Sequence, residues 1–286
     1  MSKLLTILIN GLLMGLVYDI MALGLTIVFG VTRFVNFAHG EMLIFAGLLG
    51  IWFARFFPFP PVLIFVCLSI FMFIVCYGMQ SLFLNHFMHM SQHTQFLVLA
   101  GVAMILMSME QIIFGTDVQS FPTGWSFHSF EIFGVFIDST KLFAALFSLA
   151  FSFVLFNIFH KTRYGKAVLA CADNFLGAKV IGLDYKKIYA FSFGLGGLCI
   201  GMSGCLFATI ADISPNSAAH LTLMCFIVVI MGGLDGIGGT LIAALLIGVS
   251  ESFAAYFIQG SLKSLVSFMV LIGVLLIRPQ GIKVKI

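Results

Sequence analysis

Nine long runs of apolar residues, at positions 4–30, 41–57, 61–84, 96–114, 141–159, 188–210, 221–234, 237–257 and 262–277, decide what this chain can fold into. A helix crosses the roughly 30 Å hydrocarbon core of a bilayer in about 20 residues, and most of the runs have that reach. In lipid every backbone N–H and C=O must be bonded within the protein, which leaves helices or a closed barrel. Barrel strands alternate apolar and polar residues over about 10 positions, whereas these runs are continuous. The sequence therefore predicts an all-α polytopic integral membrane protein, a single transmembrane domain over residues 1–286. Composition agrees, with 61% hydrophobic residues, a mean hydropathy of +1.16 and only 9% charged residues, against about 25% charged in an ordinary soluble domain. All six prolines, Pro58, Pro60, Pro61, Pro122, Pro215 and Pro279, fall between the runs or at their edges, where a missing N–H costs least.

Basic residues beside the runs set the orientation. The connector from His160 to Lys187 carries Lys161, Arg163, Lys166, Lys179, Lys186 and Lys187 against Asp173 and Asp184, so it is expected in the cytoplasm. Arg278, Lys283 and Lys285 in the tail are separated from it by four crossings, which puts the carboxyl terminus on the same side. Nine full crossings would leave the amino terminus outside, while Lys3 weakly favours inside. About eight spans with both ends cytoplasmic, and a broken or re-entrant element near "VNFAHG", reconcile the two.

That element raises the question of chemistry. Arg33, His39 and Glu41 interrupt two apolar runs, and charged groups at membrane depth usually face a bundle interior, a wet cavity or a partner. Gly30 and Gly40 bracket the stretch in the manner of a helix break, which is tolerated where freed backbone groups line a cavity. Two readings stay open: a hinge with interfacial charges, or part of a translocation path. Glycines are also concentrated in "GLGGLCIGMSG", with Gly197, Gly201 and Gly204, and in "MGGLDGIGG", with Gly232, Gly233, Gly236, Gly238 and Gly239. The first spacing predicts close helix packing, and the second, with Asp235 at its centre, a tight turn. No lysine and no preceding soluble strand accompany them, so neither reads as a phosphate loop.

The long basic connector places Ala167, Cys171, Phe175 and Ala178 on a roughly helical repeat. Such a segment can dock in a groove of a soluble partner or lie on the headgroups, and the pattern does not choose between them. His86, His89 and His93 could share a helical face, but an exposed connector is the simpler account, and no metal or cofactor site is expected. The six cysteines form no ligand or CxxC pattern. The first run has no clear cleavage site after it and is expected to remain as a span.

Four stretches, "YDIMALGLTIVFGVTRFVNFAHGEM", "TRYGKAVLACADNFLGAKVIGLDYKKI", "ISPNSAAHLTLMCFIVVIMGGLDGIGGTLIAALLIGVSES" and "LLIRPQGI", resemble in order and spacing the permease subunits of bacterial branched-chain amino acid ABC importers, of the LivH type. The resemblance implies a subunit of the bacterial inner membrane that hydrolyses nothing itself. Its partners would be a second homologous permease, two cytoplasmic ATPases that use the ATP, and a periplasmic binding protein. It also implies a coupling loop over about residues 160–187, with Arg163, Gly165, Ala167, Ala170, Ala178 and Gly182 as the candidates for docking on the ATPase. Leucine, isoleucine and valine are the substrates it implies, with urea, short amides or other amino acids as alternatives. A secondary transporter or channel acting without ATPases is the competing class.

Two positions depart from the family pattern: Asp19 in "LVYDIMALG" and Glu110 in "LMSMEQIIFG". A carboxylate within a span is a functional candidate. Asp19, Asn36, His39, Glu41 and Glu110 are thus the candidates for the path, and Gly30, Gly40, Gly197, Gly201, Gly232, Gly233 and Gly236 those for hinges or packing.

Overall fold

The computed structural model describes residues 2–122, 129–132, 135–180, 182–233, 236–258 and 262–282. Ile181, Asp235, Lys283 and Lys285, and the side chain of Phe175, lie outside the described residues. Each apolar run becomes a helix: α1 (Ser2–Thr32), α2 (His39–Phe56), α3 (Pro61–Gly78), α4 (Gln92–Phe114), α5 (Ser139–Lys161), α8 (Tyr185–Ile210), α9 (Ala218–Gly232), α10 (Ile237–Phe257) and α11 (Lys263–Ile277). The basic connector forms two short helices, α6 (Arg163–Asp173) and α7 (Phe175–Val180). Between α4 and α5 lies an antiparallel hairpin of β1 (Ser129–Ile132) and β2 (Val135–Asp138), with Ser129 opposite Asp138.

Among the described residues seven helices are long and apolar enough to cross a membrane, and α11 is a shorter apolar helix. The first turn of α2 carries His39 and Glu41, which lower its hydropathy. Pro61 occupies the first turn of α3, where its missing N–H has no intrahelical partner to lose.

α1 is the axis of the bundle. Val17, Ile20, Met21, Ala22, Leu25 and Val28 on it are buried, and it packs on α5, α8, α9 and α10. Small residues let these helices close up. A Cβ on Gly15 would lie 2.8 Å from the Leu245 Cα of α10, and one on Gly201 of α8 would lie 2.6 Å from the Ser69 Cα of α3. Gly197 meets α3 at Met72 and Cys76 in the same way. The Thr26 and Thr240 hydroxyls, 3.0 Å apart, join α1 to α10 in the buried core.

Gly232 ends α9 against Thr240, Gly233 adopts a φ of 90°, and Gly236 precedes α10. The tail returns to this corner, where the Ile282 N–H donates to the Met231 carbonyl at 2.8 Å. Gly30 lies within α1, and a Cβ there would meet nothing within 4 Å.

The two ends of α1 face different surroundings. Near its start the Asn10 amide donates to the Phe136 carbonyl of the hairpin at 3.0 Å, and just past its finish Arg33 donates to the Ala172 carbonyl of α6 at 3.0 Å. The amino-terminal end therefore lies at the opposite end of the bundle from the basic connector. This corrects the expectation that both termini share one side. A lone lysine is a weak orientation signal beside a connector with six basic residues.

Candidate functional site: a broken helix and its coupling segment

The chain leaves α1 at Arg33, whose φ of 59° is in the left-handed region. It resumes a helix at His39, whose Nε2–H donates to the Met21 carbonyl at 2.8 Å. Met21 precedes the end of α1 by eleven residues, about 16 Å of helix at 1.5 Å per residue. Six extended residues span at most about 20 Å, so the segment 33–38 has the reach to run back along α1. The second helix thus starts about 16 Å back from the end of α1, a distance about half the thickness of a core of roughly 30 Å.

Its start is held from several directions. The Asn36 side-chain oxygen accepts from the Ala38 N–H at 3.1 Å, and the Gly40 N–H donates to the Thr222 hydroxyl of α9 at 3.0 Å. A Cβ at Gly40 would run into Thr222 and the Ala218 carbonyl. Glu41 follows in the first turn, where the positive end of the helix dipole favours a carboxylate.

Glu110 of α4 reaches the same region. It is completely buried, neither of its carboxyl oxygens has a hydrogen-bond partner, and it lies within electrostatic reach of Glu41. One Glu41 oxygen is likewise unpartnered. Gln111, next to Glu110, donates to Asn216 just before α9 at 3.3 Å. Glu41 and Glu110 thus come together where α2 meets α4, whereas the His39 ring turns to α1 and α8 and Asn36 bonds within its own loop. The unused acceptor capacity of the two carboxyl groups suits a donor-rich or cationic group.

Asp19 belongs to a separate contact. Its Oδ2 accepts from the Ser152 hydroxyl of α5 at 3.0 Å, while its Oδ1 and the nearby Ser148 hydroxyl are buried without partners. A further carboxylate, not singled out in the sequence, is Glu251 of α10. Tyr18 donates to its Oε2 at 2.7 Å and Ser267 of α11 to its Oε1 at 2.8 Å. The signal that marks Asp19, an acid inside an apolar run, marks Glu251 equally.

At the opposite end from the hairpin, the basic connector is built by local capping. The Thr162 hydroxyl accepts from the Gly165 N–H at 3.0 Å and starts α6. Gly165 packs on Ile158 and Phe159 in the last turn of α5. Val168, Cys171 and Ala178 face inward, Ala167 and Ala170 are half-buried, and Arg163, Tyr164, Lys166, Lys179 and Val180 are exposed. Burial pushes the Cys171 thiol pKa up, which keeps it a packing group.

Gly182, at a φ of 83°, turns the chain toward α8. Asp184 caps that helix by accepting from the Lys186 and Lys187 N–H groups. Slight burial acts to raise the Asp184 pKa, but these hydrogen bonds and the Lys187 ammonium, 3.3 Å away, hold it below the ordinary 3.8. Arg33 thus ties α6 to the residue where α1 breaks and the segment leading into α2 begins.

The family model described as the branched-chain amino acid transport system permease component matches residues 7–275. The chain belongs to this family. It is 26% identical to the high-affinity branched-chain amino acid transport system permease protein BraD of Pseudomonas aeruginosa, over 96% of this chain and 94% of that one. It is 28% identical to the probable branched-chain amino acid transport permease protein LivH of Methanocaldococcus jannaschii, over 92% and 87%. Among solved structures, PsaBC from Streptococcus pneumoniae in complex with Fab shares the fold at a TM-score of 0.51 and 12% identity, over 95% of this chain and 91% of that one.

For this branched-chain permease family member the break at residues 33–38 and the α6–α7 pair both lie inside the matched segment. The permease is an integral membrane protein of the helical class. Its buried carboxyl groups sit on α1, α2, α4 and α10.

Proposed function

We propose that this chain is the pathway-forming subunit of an ATP-driven importer for leucine, isoleucine and valine. It works with a second permease, two cytoplasmic ATPases and an extracytoplasmic binding protein. It sits in the bacterial inner membrane with its carboxyl terminus in the cytoplasm, and it carries out no chemistry itself. The observation that carries this reading is the family match over residues 7–275, joined to an exposed basic α6–α7 segment that is bonded to the break in the permease core.

On this reading ATP closes the ATPases, the movement enters through α6 and α7, and Arg33 passes it to the segment leading into α2. Nucleotide and binding protein each shift the balance of inward-open and outward-open forms only by favouring one of them. Asn36, His39, Glu41 and Glu110 would line the passage, with the two carboxyl groups meeting the ammonium of the amino acid. Asp19 would set the approach of α5 to α1.

Reconstitution tests the proposal. Proteoliposomes holding the whole assembly are expected to take up radiolabelled leucine only with internal ATP, and a cysteine at Val180 is expected to crosslink to an ATPase subunit. Leucine flux through this chain alone without ATP would overturn the reading in favour of a secondary transporter or channel.

A further inference from the structure

At the hairpin end of the bundle a cavity of about 460 Å³ opens between α1, α5 and α10. Its lining includes Asn10, Tyr18, Lys141, Glu251, Tyr256 and Lys263. The volume falls in the range of small-molecule sites, about 300–1,000 Å³. Glu251 is 7% exposed, and none of the described basic side chains forms an ion pair with it. A buried carboxylate without a cation is costly, and two hydroxyl donors offset only part of that cost. Those donors, Tyr18 and Ser267, take one bond on each oxygen. Each oxygen keeps a further acceptor position, and the donors hold the carboxylate in one orientation.

The lining of the cavity also carries the opposite charge. Lys141 is in the first turn of α5 and Lys263 is the first residue of α11, each at the start of an apolar helix. Glu251 is six residues from the end of α10, about 9 Å deeper along the axis.

We propose that the cavity binds a primary ammonium carried beside an anionic group, with Glu251 receiving the ammonium and the two lysines the anion. A phosphatidylethanolamine headgroup and a free α-amino acid share that chemistry. The inference does not rest on the importer reading, because binding is measured on this chain without ATPases.

The test uses the full chain in nanodiscs of phosphatidylglycerol with added phosphatidylethanolamine or phosphatidylcholine, read by native mass spectrometry of retained lipid. Binding of tritiated leucine is measured in phosphatidylglycerol alone. Glu251→Gln keeps the shape and an acceptor but removes the charge. Lys141→Gln combined with Lys263→Gln changes one half-buried and one exposed position, so it tests the site even where the first variant folds poorly. Retention of phosphatidylethanolamine over phosphatidylcholine, reduced at least about tenfold in both variants, supports the site with lipid as its source. Leucine binding reduced to the same extent supports it with the amino acid as its source. Binding of neither ligand, equal retention of the choline lipid, or binding unchanged in either variant overturns the proposal.

Discussion

Gly201 and Gly30 look alike in the sequence, each a glycine inside an apolar run, yet the fold treats them differently. At Gly201 a Cβ would press on the backbone of α3 2.6 Å away, whereas at Gly30 it would meet nothing within 4 Å. Gly201→Ala is therefore expected to destabilise the protein by about 1–3 kcal/mol through overpacking. Gly30→Ala is expected to be neutral or to stabilise by up to about 1 kcal/mol, because alanine is the better helix former. Thermal unfolding in detergent checks both; equal shifts would contradict the packing argument. Carboxylates divide differently. Asp19, Glu41 and Glu110 stand out in the sequence because a charge in an apolar run is conspicuous. Their partners were not legible, since Ser152 is 133 residues from Asp19 along the chain.

At the scale of elements, the break between α1 and α2 was legible from Arg33, His39 and Glu41, but its depth was not. That depth depends on the His39 bond to Met21 and the Gly40 bond to Thr222, both contacts across the fold. The hairpin of β1 and β2 gave no usable sequence signal, because each strand is only four residues long. Local capping, in contrast, is written in the chain. Asp184→Ala removes the acceptor for two N–H groups at the start of α8 and is expected to cost roughly 0.5–1 kcal/mol, at the low end because the side chain is half exposed. Hydrogen exchange should quicken at residues 185–188 and stay unchanged in α1 and α2. Because the Asp184 pKa is lowered in the fold, its contribution is complete above the ordinary carboxylate value. It is lost only as pH falls through the lowered one, so the wild-type cap is expected to hold throughout the neutral range.

For the whole molecule, the decisive relation is which ends of the helices lie together. The first turns of α1 meet the hairpin, while the connector and the described tail share the other end with the finish of α1. In a cysteine-free background, Lys3→Cys is expected to react with a membrane-impermeant maleimide from outside intact cells. Val180→Cys should react only after permeabilisation. Labelling of both from one side would restore the arrangement with both termini together. The outer face of α4, with Leu97, Met104, Ile105 and Ile112 exposed, shows that this bundle is finished by lipid or by other subunits rather than by its own chain.

That the chain spans a membrane as helices, roughly where those helices fall, and that charges interrupt the first pair of runs can be read from the order of residues alone. These are local consequences of apolar length, breakers and caps. How far back along α1 the second helix begins, which acids come together, which glycines carry helix contacts and which end of the bundle holds the amino terminus come from the tertiary fold. Each of these depends on contacts between residues far apart in the chain, and the sum of those contacts, rather than any local preference, selects one arrangement.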